Sequence, residues 1–102
     1  MMFPKITPYR SEKYRAFVRR EPCDVCGRPG PNHFHHEAFG ERGMSTKVSD
    51  LQGTSLCPSR PGVEGCHDKR EREGFAEFWN GYNPAAICLK HLNEYLSLGN
   101  KL

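Results

Sequence analysis

Four cysteines constrain this chain more than any other feature: Cys23 and Cys26 in "CDVC", and Cys57 and Cys66 on either side of "PSRPGVEG". A C-x2-C in a turn lets two thiolates converge on one ion while the backbone folds back behind them. Four thiolates from two such turns match a closed tetrahedral zinc site, which staples a fold and leaves no open position for chemistry. At 102 residues, 36% hydrophobic and with a mean hydropathy of -0.75, the chain is expected to be a single domain (1–102) with a modest apolar core, so a staple is useful. A fifth cysteine makes the count odd, which argues against a purely disulfide framework. The start "MMFPKITPYRSEKYR" shows no apolar stretch before a small-residue cleavage site. A cytoplasmic, reducing location is therefore expected, where disulfides do not persist. Two alternatives stay open. Cys57 and Cys66 can be ordinary buried cysteines, and Cys88 with His91, a C-x2-H, can replace one of that pair as ligands. Cys88 falls in the apolar stripe of a helix, so packing is expected for it and a surface position for His91.

No apolar run approaches the roughly 20 residues that span a bilayer, which excludes a membrane-spanning role. The net charge of +3 and pI near 8.7 permit a polyanionic partner without demanding one. Along the chain, Ser11 reads as an N-cap for a helix over about 11–20, with Tyr14, Phe17 and Val18 at helical spacing. The opposite face carries Lys13, Arg15, Arg19 and Arg20, either solvated or set against phosphates. "EPCDVCGRPGPN" is a turn structure, "HFHHEAF" suits a short strand, "GERGMSTKVSD" is a loop and "TSLC" a second strand. "GCHDKREREGFAEFW" reads as helix broken at Gly74. Asn83 and Pro84 open a last helix whose inner face is predicted to be Ala85, Cys88, Leu89, Leu92 and Leu96. The C-terminal helices therefore cover about 74–98. The order is helix, knuckle, hairpin, helix, helix, an α+β arrangement.

With the thiolates assigned to zinc, three histidines remain to be explained: His35, His36 and His67. His67 directly follows Cys66, so a structural zinc would fix its position. His35 and His36 are neighbours on a strand and point to opposite faces, so they do not readily share one ion. One imidazole is expected to bind a divalent metal while the other serves as a base. His33 receives no role.

"CDVC", "HHEAFGERGMSTKVSD", "LC" and "CH", in this order, resemble the HNH endonucleases, whose core is a β-hairpin followed by a helix gripping one metal. The likeness is nearest to phage-associated HNH proteins and covers roughly residues 20–72. It implies a small zinc-stapled ββα-metal domain with a β-hairpin and flanking helices, and hydrolysis of DNA phosphodiester bonds. Carried over by position, His36 is the general base, His35 and His67 are ligands of the catalytic metal, and Asp50 stands near the family's middle Asn, which orients the base. Two departures stand out: the stretch from Asp50 to Cys57 is longer than the commonest arrangement, and Cys57 and Cys66 are separated by an insert. Some members carry a further His one turn after the last. Here that position is Glu71, read as a third ligand, with a solvated carboxylate as the alternative.

The chemistry implied suits these residue types. A neutral imidazole near its ordinary pKa of about 6.5 takes a proton from water. An ion held by two imidazoles and a carboxylate keeps positions free for phosphate oxygens. Mg²⁺ or Mn²⁺ is expected, with Mn²⁺ at least as good, and Co²⁺, Ni²⁺ or Zn²⁺ also suit imidazole. Arg42 and Lys47 in the hairpin loop, and Lys69 and Arg70 after His67, are the expected phosphate contacts on DNA. One such site nicks one strand, a monomer suffices for it, and weak sequence preference follows from the absence of a recognition module. The alternative is a zinc-stapled nucleic-acid-binding module without catalysis, which leaves the adjacent histidines unexplained.

Overall fold

The Ser11 hydroxyl accepts a hydrogen bond from the Tyr14 N–H at 3.1 Å and so starts α1, Glu12–Arg20, as an N-cap does. The computed structural model describes residues 8–37 and 48–102. Within them α1 is followed by the Cys23–Cys26 turn, β1 (His33–His36), β2 (Gly53–Leu56), α2 (Cys66–Glu73), α3 (Phe75–Phe78) and α4 (Pro84–Ser97). The fold is small, compact and α+β, with a two-stranded antiparallel sheet and a cluster of four cysteines.

β1 and β2 pair His33 with Leu56, Phe34 with Ser55, His35 with Thr54 and His36 with Gly53. Strand alternation puts His33 and His35 on one face and Phe34 and His36 on the other. α1 and α4 close one side of the sheet. There Tyr14, Val18 and Tyr95 are buried together, with the Tyr14 and Tyr95 rings edge to face at 5.0 Å. A second core, built from Cys23, Leu56, Cys57, Phe78 and Trp79, surrounds the cysteine cluster. Two small cores joined by a knuckle are what a chain of modest apolar content builds when a staple replaces part of its burial.

The helix after Cys66 breaks at Gly74, as the sequence suggested, because that residue has φ +84, a conformation open to glycine and strained for a side chain. Asn83 caps α4 by accepting from the Ala86 N–H at 3.1 Å, and Pro84 follows in the first turn. The inner face of α4 differs from the expected one. Pro84, Cys88, His91 and Tyr95 point inward, while Leu89 and Leu96 are exposed. A polar His91 among the inward positions disguises the true stripe. The Asp24 carboxylate meets it in the interior, with both oxygens within 2.9 Å of His91 Nε2. The surface position read for His91 is thus corrected: it is fully buried, and Asp24 supplies the partner that buried polar groups need. Cys88 is buried as expected, and burial pushes its thiol up to about 12. Among the described residues, no helix is long and apolar enough to cross a membrane.

Candidate functional site

Two turns bring the four thiols together. The Cys23 N–H donates to Arg28 O at 2.8 Å and the Gly27 N–H to Cys23 O at 2.9 Å, closing the first turn. The second is drawn in by the Cys66 N–H, 3.3 Å from Cys57 Sγ, and by the His67 N–H, which donates to Cys57 O at 3.1 Å. Gly65 lets the chain pass here, since a Cβ on it would lie 2.2 Å from the Pro58 carbonyl carbon. The four sulfurs lie within 4.8 Å of one another, and Cys26 and Cys57 are 3.6 Å apart. A tetrahedral zinc with bonds of about 2.3 Å needs sulfurs about 3.8 Å apart, so these side chains fit a metal such as zinc. Burial, and then the neighbouring Cys23 and Cys57 sulfurs, push the Cys66 thiol well above its ordinary range. A bound cation reverses that by holding the sulfurs as thiolates. The insert between Cys57 and Cys66 does not separate them: it loops out through a bridge between Arg60 and Val63.

Cys66 is the first residue of α2, and the next, His67, starts a second cluster. His35 from β1 and His67 and Glu71 from one face of α2 offer three ligand atoms within 4.8 Å of one another. His35 Nδ1 is 3.5 Å from Glu71 Oε1. Burial holds the His35 pKa below its usual value, against the opposing charge of Glu37. The imidazole is therefore neutral, the form that ligates metal, at neutral pH. Two imidazoles and a carboxylate suit Mn²⁺, Co²⁺ or Zn²⁺ and accept Mg²⁺ less readily.

His36 turns to the opposite face. Its Nε2 is 2.8 Å from Asp50 Oδ1. Asp50 is fully buried. Burial opposes its ionisation, but the Ser11 N–H at 2.7 Å, His36 and Arg15 outweigh it and hold the carboxyl below its ordinary range. An ionised carboxylate only accepts, so in the neutral tautomer that fits this contact Nε2 carries the proton and Nδ1 is the acceptor. An open cleft lined by Arg15, Arg19, His33, Phe34, His36 and His67 joins this histidine to the second cluster.

Two residues missed in the sequence complete the site. Glu37, fully buried, accepts from Arg70 Nε at 3.1 Å, from Arg70 Nη2 at 3.0 Å and from Trp79 Nε1 at 2.8 Å. Its Oε2 is also 3.3 Å from His35 Nε2, close enough for electrostatic attraction but without a hydrogen bond, and that buried nitrogen has no hydrogen-bond partner among the described residues. Its signal was the period of two from His35, which places it on the same face. His33 reaches His67, Nδ1 to Nδ1, at 2.9 Å, and the same period of two pointed to it.

Arg70, expected to contact nucleic acid, is turned inward: its guanidinium is 15% exposed and committed to Glu37 in a two-pronged pair. It ties α2 to β1 and is not offered to a phosphate. Lys69 is exposed beside His67. Arg42 and Lys47 lie outside the described residues.

The family described as "Protein of unknown function (DUF968)" matches residues 1–96. The uncharacterized protein YdfU of Escherichia coli (strain K12) is 39% identical over 57 residues, 56% of this chain and 16% of that protein's length. The chain thus corresponds to a small part of that relative. No solved structure matches it.

Proposed function

We propose a function for a chain that belongs to the DUF968 family, whose description is a protein of unknown function: it is a metal-dependent HNH-type endonuclease that nicks duplex DNA. The observation that carries this reading is the convergence of two clusters on one cleft. His35, His67 and Glu71 could hold a metal ion, and His36, backed by Asp50, shares the cleft with His67 and has an Nδ1 without a partner among the described residues. A structural zinc on the four cysteines accounts for none of these groups, so a binding module alone leaves them without work.

In this account His36 Nδ1 takes a proton from water as the water oxygen bonds to phosphorus and the P–O3′ bond breaks, leaving a 5′-phosphate and a 3′-hydroxyl after the leaving oxygen is protonated from solvent. Asp50 holds the ring and stabilises the imidazolium that forms. His35, His67 and Glu71 would hold a divalent ion, which would supply charge against the phosphate. Glu37 lies against His35 and, through its paired bonds to Arg70, sets the distance between α2 and the end of β1. Cys23, Cys26, Cys57 and Cys66 would hold a zinc, which would fix Cys66 and with it the adjoining His67. DNA is the substrate, sequence preference is weak, and the resemblance favours a phage or prophage setting in the cytoplasm.

The test is supercoiled plasmid incubated with purified protein in EDTA, Mg²⁺ or Mn²⁺. Open-circular product that requires metal is expected. Plasmid left intact under every metal would favour the zinc-stapled binding module.

A further inference from the structure

We propose that Arg15 and Arg19, one turn apart on α1, form an anion subsite that takes a phosphate of the nucleic-acid backbone flanking the one attacked. Both line the cleft that holds His36 and His67. α1 lies outside the strands and helix that carry the two candidate metal clusters, so the subsite extends the site along the substrate. The proposal rests on the nuclease reading for which phosphate is bound, but its test does not need cleavage.

The carrying observation is Glu12. Its Oε2 is 2.7 Å from Arg15 Nη2, and its Oε1 pairs with Arg19 Nη2. One carboxylate therefore engages two guanidinium forks, one oxygen each, the arrangement that a phosphate's two free oxygens also fit. The Glu12 side chain is 63% exposed and both arginines are 36% exposed. No described residue buries this ion pair, and exposed pairs are weak, so a phosphate, which is as anionic and tied to a large partner, displaces the carboxylate readily. Asp50 differs: it is buried and held by Ser11, Arg10 and His36. Arg15 also lies 3.5 Å from Asp50 and so belongs partly to the support of His36, whereas the Arg19 side chain faces only Glu12 and the cleft among the described residues. Glu12 acts as a placeholder that keeps both forks extended over the cleft until the substrate arrives.

The experiment measures binding of a fluorescent duplex oligonucleotide by anisotropy across a KCl series, with zinc-loaded protein, no added Mg²⁺ or Mn²⁺, and a His36→Ala background. It compares the parent with Arg19→Gln, Glu12→Gln and, as a charge control far along the chain, Lys101→Gln. Each phosphate contact contributes a slope of about -0.9 to log K against log salt. Arg19→Gln is expected to reduce the slope by about 0.9 and to weaken binding about tenfold at low salt. Glu12→Gln is expected to tighten binding, and Lys101→Gln to leave it within twofold (about 2) of the parent. Unchanged affinity and slope in Arg19→Gln, or an equal loss in Lys101→Gln, would overturn the subsite. An effect of Arg19→Gln in a protein that cuts no plasmid would keep the subsite and refute the nuclease. Cutting with Arg19→Gln unaffected in binding would do the reverse.

Discussion

Glu37→Gln keeps the shape of the side chain and removes its charge. In the wild type three donors converge on the Glu37 oxygens: two from Arg70, at 3.1 and 3.0 Å, and one from Trp79, at 2.8 Å. The carboxylate is fully buried and the guanidinium nearly so. Glutamine offers one oxygen in place of two, and its amide then faces a donor. Breaking one side of a buried ion pair costs about 3–5 kcal/mol, because the other charge stays buried without a partner. Small domains have about 5–15 kcal/mol in total, so this single change should remove a large part of the stability. Arg70→Gln should cost a similar amount. In the double variant the two amides can bond to each other, so its loss should fall short of the sum of the singles by about 2–3 kcal/mol. The assay is urea denaturation followed by circular dichroism at fixed zinc concentration, since bound metal shifts the apparent stability. Because Glu37 links β1 to α2, Glu37→Gln should also weaken Mn²⁺ binding at His35, His67 and Glu71, read by calorimetry. Additive losses within about 0.5 kcal/mol, with Glu37→Gln costing under about 1 kcal/mol, would refute the claim that this pair holds the site together.

Cys23→Ser should lose the structural metal and most of the cooperative unfolding transition, because the energy of binding such an ion is folding energy; elemental analysis and thermal melts check both. Gly65→Ala should cost about 1–3 kcal/mol and lower zinc retention, since its Cβ meets Pro58 backbone at 2.2 Å, and a melt unchanged from the parent would refute that contact. Asp50, held below its ordinary pKa, should contribute stability that is fully present above about pH 4 and is lost as pH falls through its lower folded value. The advantage of wild type over Asp50→Asn in thermal melts should therefore shrink in acid and be flat above that pH.

The thiol quartet, the strand positions of the histidines and both helix caps were legible because each rests on local chemistry: ligand spacing, alternation, and a side chain bonding three residues along. The His35, His67 and Glu71 cluster joins residues more than thirty positions apart, and it is reached through the resemblance to HNH proteins, with the place of His67 after Cys66 and the helical spacing to Glu71 as support. What stayed hidden was the polar interior. The sequence reading puts His91 on the surface and gives Glu37 no role, yet each is buried because a distant partner, Asp24 or Arg70, meets it there. The same blindness made Arg70 look available for DNA and turned the inner face of α4 toward Leu89 and Leu96, which the structure leaves exposed, although Leu92 does pack against the core. Periodicity can place Glu37 on the face of His35, but it does not name the distant partner that buries it.

The most direct test of the account is plasmid nicking in Mn²⁺ by wild type and His36→Ala side by side, with zinc content and circular dichroism recorded for both. The account predicts metal-dependent open circles from wild type and none from His36→Ala, with zinc content and fold unchanged. Equal nicking by the variant, or intact plasmid from a correctly folded, zinc-loaded wild type, would contradict it.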